Sequence, residues 1–102
     1  MERRKINWTR TAFLQKDLII HYWNEHNHSK EYSIKLSNLI DDRLLLVALF
    51  PEMGKESTFS NSRVIFVNNF SIFYKYDANQ ILVTTIWDNR QNPSTLFKKM
   101  KQ

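Results

Sequence analysis

The side chains best suited to chemistry lie in the second half of the chain: the cations Lys55, Arg63 and Arg90 and the tyrosines Tyr74 and Tyr76. Fixed cations stabilise the charge that grows on a phosphate as it approaches a transition state. Arginine suits that work because its planar fork donates two hydrogen bonds to phosphate oxygens. A tyrosine hydroxyl within hydrogen-bond reach could exchange the proton such a step needs. Tyr74 and Tyr76 stand two apart, so a strand carries them on one face. Glu52 is a second candidate base. Each residue also has a plainer role. Arg63 could pair with Glu52 or Glu56 as an ordinary surface ion pair. The tyrosines could be packing aromatics. Glu52 could be an exposed carboxylate at a helix end.

Other chemistries find little support. His21, His26 and His28 fall on or just after the first expected helix. His26 and His28 in "EHNHS" have a spacing that binds a metal weakly at best, and solvated turn residues are the better reading. One glycine cannot build a phosphate-cradling loop. No Ser-His-Asp pattern stands out. There is no cysteine, hence no disulfide framework and no thiolate site, which fits a reducing cytoplasm. No cofactor and no metal is expected.

The elements that must position these residues can be read from periodicity and punctuation. Residues 4–8 read as a short strand, and Thr9 as a helix N-cap. From Arg10 to about Asn27 apolar residues recur at helical spacing, with Ala12, Ile19 and Trp23 in one row and Leu14, Leu18 and Tyr22 beside it. Ser29 caps a second helix from Lys30 to about Leu49, striped by Leu36, Leu39, Ile40, Val47 and Phe50 and ended by Pro51. A short polar turn between them predicts an antiparallel helical hairpin. After Gly54, residues 55–61 read as a loop or irregular edge. Three β-rich runs follow, Arg63 to Val67, Phe70 to Tyr76 and Ile81 to Trp87, the first two joined by the turn dipeptide Asn68-Asn69. "DNRQNP", residues 88–93, reads as a terminating turn, and Ser94 as the cap of a short basic tail helix.

The expected fold is therefore α+β: a helical hairpin packed on one face of a small antiparallel sheet, in the order β-α-α-β-β-β. At 102 residues the chain is read as a single domain, 1–102. Aromatic residues make up 14%, which supports a packed core and argues against disorder. The net charge of +5 is uneven: residues 1–10 carry +3, residues 90–102 carry +4, and the rest sums to −2. Basic ends that meet would attract nucleic acid or an acidic partner; apart, they are solvated tails. No apolar run approaches a membrane span, and no signal-peptide core follows the charged first residues, so a soluble cytoplasmic protein with no membrane partner is expected.

Four segments in order resemble the RelE/ParE toxins of bacterial type II toxin–antitoxin systems: "INWTRTA" (6–12), "YW" with "YSIKL" (22–23 and 32–36), "FPEMG" (50–54) and "FSIFYKYDANQILVTTIWDNRQNP" (70–93). The resemblance implies a toxin neutralised by a cognate antitoxin protein. Its target would be the ribosome and its mRNA in the RelE-like branch, whose members are mRNA endoribonucleases, or DNA gyrase in the ParE-like branch, whose members bind without cutting. It also implies roles: Arg63 and Arg90 match the family's sheet arginine and C-terminal arginine. Their strands can be neighbours, so both could point to one phosphate, with Lys55 and Tyr74 completing a nuclease site. RelE-like nucleases commonly place a Tyr or His shortly after the C-terminal arginine, and here no Tyr or His follows Tyr76. That departure favours the ParE-like branch and leaves enzymatic activity open. A nucleic-acid-binding or adaptor module without toxicity is the alternative from another class.

Overall fold

A computed structural model of the chain describes residues 3–26, 30–59 and 61–90. The cap expected at Ser29, His28, the turn through Asn92 and Pro93, and the basic tail helix from Ser94 lie outside the described residues.

Strand β1 (Lys5–Trp8) leads directly into helix α1 (Arg10–His26). Thr9 makes that junction. Its hydroxyl accepts the Ala12 N–H at 3.1 Å, satisfying a donor that the first helical turn leaves unpaired. Its own N–H donates to the Val83 carbonyl at 2.9 Å, tying the cap to the sheet. Helix α2 (Glu31–Leu49) returns against α1. The Ser33 hydroxyl donates to the Asn24 side chain across the pair. Pro51 follows and the chain leaves the helix at Phe50.

The rest of the chain forms β2 (Lys55–Glu56), β3 (Arg63–Val67), β4 (Phe70–Tyr76) and β5 (Gln80–Asp88). They make a five-stranded sheet in the order β1-β5-β4-β3-β2. The three predicted β-runs are present, and Asn68 takes a positive φ of 54° in the tight β3–β4 turn. The structure adds two features to the expected architecture. A two-residue β2 pairs with the start of β3. And β1 joins the sheet parallel to β5, making it mixed at that edge, whereas its other pairs are antiparallel. Parallel neighbours need a long crossover, which the helical hairpin and the meander supply.

Both helices pack on one sheet face. Ala12, Leu36, Ile40, Leu44 and Val47 meet Phe70, Ile72, Tyr74, Ile81, Val83 and Ile86 in one core. A bulge at Thr84 is what lets β5 serve that core along its whole length. Val83 sits opposite Tyr74 and Thr85 opposite Phe73, so Thr84 has no partner across the ladder. The extra residue shifts the core face from odd positions (Ile81, Val83) to an even one (Ile86), and turns Trp87 to the other face. The Gln15 side chain accepts the Ile86 N–H at 2.9 Å where the ladder is disturbed. On the other face Val64, Phe73 and Trp87 form a small cluster under Phe59, while Phe66 is 54% exposed.

Candidate functional site

The sequence-predicted site residues fall into separate places. Tyr74 is fully buried on the helix-facing side of β4. Its hydroxyl donates to the Pro51 carbonyl at 2.7 Å and accepts the Gly54 N–H at 2.9 Å. Burial pushes its pKa above the ordinary tyrosine value, opposed in part by the hydrogen bond from Gly54. Gly54 is glycine for a steric reason: a Cβ there would land on the Tyr74 hydroxyl, with ring carbons at 2.8 and 2.9 Å. Arg63, directly opposite Tyr74 on β3, binds the same turn, donating to the carbonyls of Gly54 at 2.7 Å and Glu52 at 3.2 Å. It also reaches the Glu56 carboxylate at 3.4 Å. Tyr74 and Arg63 together clamp the α2–β2 turn. The ion-pair alternative for Arg63 is thus what the geometry displays.

Arg90 lies elsewhere. Its guanidinium meets Asp88 through two hydrogen bonds, Nε at 2.9 Å and Nη2 at 2.7 Å, and stands 4.9 Å from the Trp23 ring centre. The hydrogen bond from Arg90 holds the Asp88 carboxyl below the usual aspartate range, and Asp88 in turn raises the Arg90 pKa. The expectation that Arg63 and Arg90 converge on one phosphate does not hold. Their strands are separated by β4. Arg63 is level with Tyr74, and Asp88 is level with Phe70 at the other end of β4. Four residues of strand place them roughly 13 Å apart along the sheet, before the lateral distance is added.

Lys55 is exposed on β2, Tyr76 stacks with Arg4 at 5.8 Å, and Glu52 is exposed. His21 is a surface partner of Asp17 at 3.6 Å. No metal-binding cluster occurs among the described residues. No described helix is long and apolar enough to cross a membrane.

What the sequence reading placed in the background is an apolar surface. Leu14, Leu18 and Tyr22, one helical row on α1, are 47%, 69% and 47% exposed. Of the two rows on this helix, only the one with Ala12, Ile19 and Trp23 packs on the core. The exposed row borders a groove of about 770 Å3, lined by Leu18, Tyr22, Trp23 and Phe70 together with the polar residues His21, Glu25, Asp88 and Arg90. The signal for this surface was a helix with more apolar residues than one buried stripe needs. Such a contiguous patch is a recognition surface more than a catalytic one.

The fold and sequence both have relatives. A solved structure described as the chromosomal ParDE TA system from P. aeruginosa superposes with a TM-score of 0.69 at 18% sequence identity, covering 82% of this chain and 94% of that one. At that identity the likeness is one of fold. A search among curated proteins found no match in sequence. The family model described as the ParE toxin of the type II toxin–antitoxin system, parDE, matches residues 6–93, and the chain belongs to that family.

Proposed function

We propose that this toxin arrests growth from the cytoplasm by binding its target, DNA gyrase, and not by cutting nucleic acid, and that a cognate antitoxin neutralises it. The observation that carries this reading is the dispersal of the candidate chemistry. Tyr74 has its hydroxyl committed to two backbone groups inside the core. Arg63 is committed to two carbonyls and a carboxylate. Arg90, at the far end of β4, is neutralised by Asp88. Arg63 and Arg90 do not converge on one point, and the Tyr74 hydroxyl is not free to serve as their proton donor, whereas phosphodiester cleavage requires both. The apolar row of α1 and the groove beside it instead supply surface for a protein partner, and within that surface we assign Arg90 to contact and orientation.

Growth and RNA ends test the reading. Expressed alone, the chain should arrest bacterial growth, and the neighbouring gene expressed with it should restore growth. Mapped mRNA ends should be the same before and after arrest. Reproducible in-frame mRNA cuts would replace this proposal with the ribosome-dependent nuclease. No arrest in any host tested would remove the toxin activity itself.

A further inference from the structure

The C-terminal end of α2 carries more apolar surface than the core takes up. Residues 44–50, "LLLVALF", are apolar without a break. Leu44, Val47 and Ala48 turn into the core. Leu45, Leu46, Leu49 and Phe50 turn outward, exposed by 38%, 44%, 41% and 63%, and Met53 just beyond them by 46%. A helix apolar on all sides is normally covered on all sides. A contiguous patch of this kind marks a protein contact. It is separate from the groove beside the α1 row, which none of these residues lines.

The charges at its two ends bear on what covers it. Asp42 and Arg43 stand before the patch and Glu52 and Lys55 after it, all four exposed. Among the described residues none of their side chains makes an ion pair or a hydrogen bond. Arg43 precedes Phe50 by about two helical turns, with Leu46 between them in the same row. Met53 and Lys55 line one groove with Arg43, so the turn prolongs the surface of the helix. The four charges cancel, with one acid and one base at each end. Such a patch has no net pull on a strongly acidic partner or an anionic membrane. It is complementary to its own copy turned end for end, where each acid meets a base.

We propose that this end of α2 is a self-association surface, on which a second copy of the chain packs with its α2 antiparallel. Leu46 meets the partner's Leu49, and Leu45 meets the partner's Phe50. Arg43 then faces the partner's Glu52, Asp42 faces the partner's Lys55, and the two-fold axis repeats each pair. Apolar contact supplies the affinity, since exposed ion pairs contribute little. The charges fix the antiparallel register. About nine residues a side take part, against about 20–30 in a standard interface, so the dimer is weak and reversible, with a Kd of about 10–100 µM. The α1 row takes no part in it, and the inference does not rest on which target the toxin acts on.

Sedimentation of the purified full chain, at concentrations of about 5–500 µM that bracket this Kd, tests the proposal. The mean mass should rise from one chain toward two. Leu46→Glu should hold it at one chain across the range, with an unchanged melting temperature. Arg43→Glu and Glu52→Arg, each alone, should weaken association at least ten-fold, because each sets like charges face to face. An equimolar mixture of these two variants should regain it, since every facing pair at 43 and 52 is then of opposite sign. A wild-type chain monomeric throughout, a dimer indifferent to Leu46→Glu, or a mixture no tighter than its components would each overturn the proposal. The chain should also stay in solution when mixed with vesicles of anionic phospholipid. Vesicle binding that Leu46→Glu abolishes would give the patch to a membrane and overturn self-association. Growth arrest by Leu46→Glu, measured in parallel, reports on the toxin activity separately.

Discussion

Arg90 shows how far a residue's neighbours decide its chemistry. A bare arginine after a terminal strand is a phosphate ligand in waiting, but with its Nε and Nη2 donors on Asp88 it is half of a neutral pair. Asp88 has its native pKa lowered by Arg90, so the pair's contribution to stability is full above the ordinary aspartate value and is lost as pH falls through the lowered native value. Wild-type stability should therefore decline on acidification below about pH 4, and Asp88→Asn should flatten that limb of a pH series of urea melts. The α2–β2 turn gives a second test at this scale. Tyr74→Phe leaves the Gly54 N–H and the Pro51 carbonyl without their partner, at a cost of about 1–3 kcal/mol. Gly54→Ala drives a methyl into the Tyr74 ring and should cost a similar ~1–3 kcal/mol. Chemical denaturation measures both. Wild-type stability in Tyr74→Phe would mean that the hydroxyl does not hold the turn. Some of this was legible in the sequence: Glu56 was a foreseeable partner of Arg63. The Asp88–Arg90 pair was not, because Asp88 sits among turn formers and carries the signature of a chain reversal.

At the scale of elements, the sequence is clearest where punctuation and periodicity agree. Strands β3 and β4 have their predicted bounds because Asn68-Asn69 lies between two apolar runs. Strand β2 falls in a stretch whose sequence reads as a loop or irregular edge: two polar residues carry no period, and their pairing depends on where β3 lies. Strict alternation along β5 fails at Thr84, since a bulge is a property of the ladder and not of one strand's composition. Helix α1 was the most informative element. Its two apolar rows look equivalent in sequence, and only the fold tells which one faces the core. Leu18→Glu, on the exposed row, should change stability by no more than about 0.5 kcal/mol. It should nevertheless weaken growth arrest or rescue by the antitoxin at least ten-fold. Ile40→Ala, in the core, should cost about 2–5 kcal/mol. Thermal melts beside growth curves separate the two effects, and a Leu18→Glu protein with unaltered arrest and rescue would remove the α1 row from the interaction surface.

The whole molecule explains why the arginines could not be assigned from the chain alone. Their distance depends on strand order, and the order β1-β5-β4-β3-β2 inserts β4 between the strands that carry them. Local patterns decide which segments are strands; the order is decided by how the helical hairpin and the parallel β1 close over the core. The result is a small scaffold whose described surface offers apolar recognition faces and dispersed charge. Inhibition by binding is tested most directly by supercoiling with purified gyrase. The wild-type chain should block supercoiling in proportion to its concentration, relief should follow addition of the antitoxin, and Arg90→Ala should reduce the block without abolishing it. Full supercoiling at toxin concentrations that arrest growth would contradict the account.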